Sequence, residues 1–338
     1  MKNYLSDRKI SLITSLFSAL FILFSANQVF ALSLSPVRFE LQGDPGQSVS
    51  GEIILTNETD YPQTFYSSFS NFEAQGESGN PAFVVPKNDL GTWISTSDIV
   101  NLEPHVTKNV PFTIDIPKDA EPGGHFAVIF FGDTPVNNTG GGAVSVGSQT
   151  GALVLLSVSG DVKQAGGMTA FNLKNNKHFY NTLPVDFEYK FKNDGGDRIK
   201  PDGLITVRNI IFYPKVKLDA NPSEGNILPG STRKFEISWI NYSRSKDFTP
   251  SSNVFTRYIE MVKYQWQNFA FGPYFAKIHL SYAGLNFGDG STLFFFVFPW
   301  QLLILIAFVL GGLYVIGKKV LIRYNAHIIE KAKQNMKL

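Results

Sequence analysis

The chain has 338 residues, 30 Lys and Arg against 28 Asp and Glu, a formal net charge of +2 and no cysteine. The basic excess sits at the two ends: Lys2, Arg8 and Lys9 against Asp7 in residues 1–31, and Lys318, Lys319, Arg323, Lys331, Lys333 and Lys337 against Glu330 in residues 317–338. The middle is therefore mildly acidic, which argues against a nucleic-acid-binding surface, and the absence of cysteine excludes a thiol nucleophile and Cys-ligated zinc.

In chain order, residues 1–31 read as a signal peptide: basic residues, an apolar run from Ile10 to Phe24, then Val29-Phe30-Ala31 as a small-residue cleavage pattern. Cleavage is expected after Ala31, and the chain beyond it is expected to be translocated. High aromatic content, with 30 Phe and 13 Tyr, together with 29 Gly and 18 Pro, favours strands joined by turns.

Residues 32–163 read as a first immunoglobulin-like domain. Leu34, Val37, Phe39 and Leu41 open it, and Gly43-Asp44-Pro45-Gly46 is a turn. Val49, Ile53 and Leu55 lie in a second strand that ends in Asn57-Glu58-Thr59-Asp60. A strand over Thr64 to Phe72, a polar loop over Gln75 to Pro81 and a short segment at Trp93-Ile94 come next. Val110, Phe112, Ile114 and Ile116 alternate, His125 to Phe131 reads as a buried strand, and Ala152 to Val162 reads as the last one. Short strands with a turn about every 10 residues point to an antiparallel sandwich.

The order of these signals resembles the first domain of the WxL-interacting protein family of bacterial surface proteins. The residues that carry the resemblance are Ser35-Pro36-Val37-Arg38-Phe39-Glu40-Leu41, Pro45-Gly46, Leu55-Thr56-Asn57-Glu58-Thr59, Trp93, Leu102-Glu103-Pro104, the run from Ile116 to Phe131, and Ala152-Leu153-Val154. The run from Ile116 to Phe131 is the most specific of these. The resemblance implies a Gram-positive-type or related cell-surface protein that attaches to peptidoglycan or holds WxL-domain partners. Pro36, Asn57 and Pro45-Gly46 also recur in pilus-chaperone-like sandwiches.

Residues 168–292 read as a second sandwich. Val185, Phe187, Tyr189 and Phe191 have strict period two, Asn193 to Asp197 is a hairpin-type turn, and Phe235, Ile237 and Trp239 alternate again. The pattern is similar to the membrane-proximal domain of anchored relatives in the same family. An aromatic-rich insertion over 240–271 is expected to add a helix or hairpin, or a contact surface near the membrane.

Leu293 to Ile316 is uncharged and long enough to cross a bilayer. Pro299 either kinks this run or marks its true start at Trp300, with Leu293 to Phe298 closing the last strand. The basic residues after it orient the tail 317–338 inward and the domains outward.

The residues carry no convincing chemistry. No two of His105, His125, His178, His279 and His327 have helical metal-pair spacing. Asp119, Glu121 and His125 flank a Pro-Gly-Gly turn, and Asp194-Gly195-Gly196-Asp197 lacks the ligand pattern of a calcium loop. Gly140 to Gly142 is no phosphate loop, and no nucleophile elbow lies near Ser145 or Ser148. Asn57, Asn137 and Asn241 head glycosylation sequons that are chance matches in a bacterial protein. Trp300-Gln301-Leu302 spells W-x-L by chance.

The expectation is an all-β protein: two immunoglobulin-like β-sandwich domains in tandem, then one C-terminal transmembrane helix. It is non-catalytic, without cofactor or metal, located at the cell membrane with its domains extracellular. Its partners are the membrane and cell-wall glycan or a surface protein, met through strand edges or loops, and no nucleic acid. The alternative is an envelope chaperone that assists secretion or pilus-type assembly by strand addition.

Overall fold

The computed structural model describes residues 32–135, 148–212, 215–241, 252–282 and 285–335. The signal peptide read over 1–31, the glycine run at 140–142, Ser145 and the start of the insertion at 242–251 lie outside the described residues. The chain divides into two compact units, Met1–Phe72 with Phe83–Gly160, and Glu73–Ala82 with Asp161–Leu338.

The first unit is a two-sheet sandwich. One sheet has the order Leu32–Ser35 (β1), Ser48–Asn57 (β3), Thr107–Asp115 (β8), Ile94–Thr96 (β6). The other runs Arg38–Gly43 (β2), Gln149–Val158 (β10), Gly123–Gly132 (β9), Gln63–Gln75 (β4), Asn80–Val84 (β5), with Ile99–Leu102 (β7) also on β4. Of the segment read as a loop over Gln75 to Pro81, only Gly76 to Gly79 connects β4 and β5; Gln75 ends β4, and Asn80 and Pro81 open β5. The expected strand over Ala152 to Val162 starts earlier, at Gln149, and stops at Val158.

The alternation read in the sequence selects the inner faces. Val110, Phe112 and Ile114 of β8 meet Ile53 and Leu55 of β3 and Ile129, Phe131, Val154 and Leu156 of the facing sheet in one core. The strand β9 also buries Phe126, Val128 and Phe130 on its outer face, where Phe72 and Phe83 pack edge-on or tilted against Phe126 and Phe130. That double burial is why this stretch has no two-residue period.

The second unit is also a sandwich. Its three-stranded sheet is Gly166–Leu173 (β11), Val185–Asn193 (β13), Thr232–Trp239 (β16). Its five-stranded sheet is Phe179–Tyr180 (β12), Leu285–Val297 (β18), Gly272–Tyr282 (β17), Asp202–Asn209 (β14), Lys215–Asp219 (β15). Phe187, Tyr189, Phe191, Trp239, Tyr274 and Phe295 fill the core between them. The outer face of the smaller sheet is charged. Glu236 sits 2.8 Å from Lys174 and 2.6 Å from Lys234, and hydrogen bonds to those two ammonium groups hold its carboxyl down to about 2.

The α-helices among the described residues are Leu90–Trp93 (α1), Val254–Gln267 (α2) and Trp300–Asn335 (α3), with a 3-10 turn at Lys174–Asn176. The apolar run read as a single span over 293–316 is divided. Leu293 to Val297 belongs to β18, where Leu293 pairs with Ala276 and Val297 with Gly272, and Phe295 and Val297 enter the core. The side chains alternate inward and outward along this stretch, with Phe294 46% exposed, as pairing with β17 requires. Pro299 marks the start of α3, where its missing N–H removes nothing a helix needs. Within α3, the span Trp300–Ile329 holds a window long and apolar enough to cross a membrane. The helix continues through the basic residues read as a tail. A Cβ at Gly311 or Gly312 would meet nothing within 4 Å among the described residues.

The insertion contributes α2, capped by Asn253, whose side chain accepts from Phe255 N–H at 3.0 Å and Thr256 N–H at 3.3 Å. Val262, Tyr264 and Gln265 are its buried residues.

Candidate functional site

One strand edge in the first unit is left open. β10 pairs with β9 along its whole length, from Gln149↔Gly132 to Val158↔Gly123. On its other side the parallel strand β2 covers only Leu153 to Val158, beginning with the Leu153 N–H donated to Val37 C=O at 2.9 Å. Upstream of Val37 the chain departs for the other sheet, where β1 pairs with β3. Alternate residues of a strand address the same neighbour, so Gln149 and Gly151 turn their N–H and C=O groups to the uncovered side. Among the described residues no strand pairs there.

The open half, Gln149-Thr150-Gly151-Ala152, carries neither charge nor proline. Other edges are blunted by devices that discourage pairing: Lys215 and Lys217 on β15, Pro81 on β5, and a register shift between Met168 and Ala170 on β11. Gly151 also has a steric reason, since a Cβ there would lie 2.7 Å from Phe130 and Val128 side-chain atoms.

The most organised polar cluster centres on His125, and its partner is not one the sequence pointed to. Nδ1 of His125 lies 2.6 Å from Oδ1 of Asp89, and Nε2 lies 2.8 Å from the Glu121 carbonyl. The Asp89 oxygen also accepts from Leu90 N–H at 2.7 Å, capping α1, and the Trp93 ring lies 4.7 Å from the imidazole. Asn71 secures the same turn by accepting from Gly91 N–H at 2.7 Å. Asp89 is 36 residues from His125 in sequence, and no spacing rule joins them. Glu121 contributes its backbone, not its carboxylate.

Both imidazole nitrogens face acceptors, which suits a doubly protonated ring with both donating. Burial pushes the His125 pKa down, but the hydrogen bonds to Asp89 and Glu121 C=O outweigh it and the net shift is upward. Burial likewise raises Asp89, and the hydrogen bonds from His125 and Leu90 N–H bring it below its ordinary value. Both ring nitrogens are engaged within the chain, and the cluster pins α1 to β9 as a lock.

Its pH dependence is set by linkage. A raised histidine contributes stability that is complete below its unfolded value of about 6.5 and is lost as pH rises through the folded value. A lowered aspartate contributes stability that is complete above about 3.9 and is lost as pH falls through the folded value. The first unit is expected to draw most from this pair between those two limits. Its thermal midpoint should fall from pH 6 to pH 9 in the wild type and stay flatter in His125→Gln. Parallel slopes for the two proteins would contradict the lock.

The remaining candidates lie apart from this cluster. His105 lies 3.0 Å from exposed Asp60, and His178 Nδ1 is 2.8 Å from Phe294 C=O. His279 is on β17 and His327 on α3. Among the described residues no group of three or more His, Asp and Glu could hold a metal. At the Asp194–Asp197 turn, Asp194 pairs with Lys192 at 2.6 Å and Asp197 accepts from Arg198 N–H at 2.6 Å. Asn57 is fully buried with both amide atoms bonded, so its sequon offers no acceptor.

The W-x-L triplet has a local role. Tyr258 OH donates to Gln301 C=O at 2.8 Å. Gln265 donates to Asn181 C=O at 3.0 Å and to the Gln301 side chain, and accepts from Leu302 N–H at 2.9 Å. These bonds tie α2 to the first turn of α3.

No family model matches the chain, that of the WxL-interacting proteins included, and no curated protein matches it. Solved pilus chaperones are similar at low identity. The class 5 fimbriae chaperone CfaA is 15% identical with a TM-score of 0.36, over 79% of this chain and 99% of that one. The E. coli chaperone DraB is 12% identical with a TM-score of 0.31, over 79% and 98%. The SafB chaperone–SafA pilin complex of Salmonella enterica gives 9% and 0.32, over 80% and 99%. The likeness is a distant one of fold, two sandwich domains in series.

Proposed function

We propose that this chain is a non-catalytic envelope protein that binds an exported, β-rich partner by strand addition, in the manner of an assembly chaperone, while α3 holds it in the membrane. The observation that carries the reading is the open half of β10: four residues that β2 does not pair, of which Gln149 and Gly151 turn their backbone groups to the uncovered side, with no charge and no proline, and with β9 paired along the other side. Main-chain hydrogen bonds on such an edge give affinity without chemistry. Lys318, Lys319 and Arg323 after the span favour the sandwiches outside and the C-terminus inside.

A second reading is a standing surface scaffold on cell-wall glycan or a surface protein, the role that resemblance to the WxL-interacting proteins implies. The tether favours it, because a chaperone that hands over its client has no need of a permanent anchor.

The two separate on one substitution. Gln149→Pro removes an edge N–H that β9 does not use, at the first position of the strand, where proline is tolerated. The full-length protein in detergent is offered exported β-subunits and, separately, cell-wall sacculi. Subunit capture is expected to weaken about tenfold in Gln149→Pro, the worth of about one edge hydrogen bond. Sacculus binding that is equal in both proteins, with no subunit captured, would replace the chaperone reading with the scaffold.

A further inference from the structure

A groove runs between α2 and the start of α3. It encloses about 400 Å³, with Ile259, Val262 and Trp266 on one wall and Leu305, Ile306 and Val309 on the other. Lys263 is the one charged residue that lines it. We propose that this groove holds an acyl chain of a membrane phospholipid whose phosphate meets Lys263. The proposal rests on reading α3 as membrane-spanning.

Three observations select a lipid as the occupant. The α3 wall extends from Leu302 to Leu310, about 12 Å at the helical rise, less than half of a hydrocarbon core of about 30 Å. The groove therefore has the depth of a single leaflet. Its walls carry large branched and aromatic side chains, whereas a partner helix in the membrane packs on small residues that let backbones approach. Gly311 and Gly312 lie beyond the groove and do not line it. Finally, Trp266, which lines the groove with Lys263, is 68% exposed, which places an amphipathic ring on the same wall as the lysine, as at a headgroup boundary.

The site is preformed. The buried Gln265 side chain bonds to Asn181, Gln301 and Leu302 together, so α2 keeps its place on α3 without a ligand. Ile259 and Val309 are 47% and 51% exposed on its two walls, so a long apolar chain covers surface already open, and the Lys263 ammonium adds attraction for an anionic headgroup.

The test uses the full-length protein in vesicles of equal phosphatidylglycerol and phosphatidylcholine. Native mass spectrometry after gentle extraction counts the lipid retained, and alkaline carbonate washing reports integration. The wild type should keep one phosphatidylglycerol. Ile306→Trp, which fills the groove, should lower that retention about tenfold, the worth of about two buried methylenes. Lys263→Gln should shift the retained lipid toward phosphatidylcholine. A wild type that resists carbonate but keeps no lipid, or keeps as much in Ile306→Trp, overturns the groove and leaves the anchor standing. Release by carbonate overturns the anchor reading and the groove with it.

Discussion

Phe295→Ala should destabilise the second sandwich by about 3–5 kcal/mol. Phe295 is fully buried in β18 and its ring sits among four others: stacked on Tyr274 at 5.4 Å and edge-on to Phe187, Tyr180 and Trp239 at 5.8, 6.1 and 6.1 Å. Truncation removes the transfer energy of a large ring and leaves a cavity. The walls cannot close on it, because β17 and β18 are held in register by their ladder and Trp239 is anchored on β16 opposite Val185. The denaturant midpoint of the full-length protein in detergent should drop with an unchanged slope, and Phe295→Leu should recover part of the loss. A change below about 1 kcal/mol, the range of an ordinary surface substitution, would show that this ring cluster is not the core.

Asn57→Ala should cost the first sandwich about 2–4 kcal/mol, since buried carbonyls stripped of a donor cost about 1–3 kcal/mol each. The Asn57 amide donates toward Tyr61, Leu102 and Glu103 carbonyls at 2.9, 3.1 and 3.2 Å. Its oxygen accepts from Thr59 N–H at 3.0 Å and Thr59 Oγ1 at 2.7 Å. One side chain thus closes two loops at the end of β3, past its last pair with β8 at Thr56. Asn57→Asp keeps the shape but turns an oxygen toward three carbonyls, so its thermal midpoint should lie at or below that of the alanine variant. An aspartate variant as stable as the wild type would rule out the donor role. The same device recurs in the second unit: Asn193 bonds Asp197 and Ile227 carbonyls and Gly195 N–H, Asn209 bonds Phe271, Ile211 and Phe212, and Asn221 bonds Pro201 and Gly225. Each marks a loop end where backbone pairing runs out.

These asparagines show how far the sequence could be read. Asn57 and Asn193 were legible as turn starts, because Asn favours such positions through short-range bonds to its own backbone. Their long-range bonds were not, because Leu102 and Ile227 lie 45 and 34 residues away. The aromatic insertion was legible as an extra element, yet the helix that fills part of it owes its position to Gln265, whose three partners come from two other segments. At Leu293 to Val297 hydrophobicity alone fits a membrane helix. The five residues become strand because Ala276 and Gly272 lie opposite with unpaired backbone groups that need partners.

What the sequence determined by itself is local. Period-two alternation in stretches such as Val110 to Ile114 and Val185 to Phe191 sets which side chains face inward, and an uncharged run of sufficient length sets a helix fit for a bilayer. Both are properties of neighbouring residues, so they need no fold to be read. Tertiary structure alone decided what those faces meet. It left Gln149 to Ala152 open because β2 begins only opposite Leu153, brought Asp89 to His125, and laid α2 along the first turns of α3. Pairing between distant segments depends on which backbone groups remain unsatisfied once the sheets have formed, and no residue carries that information on its own.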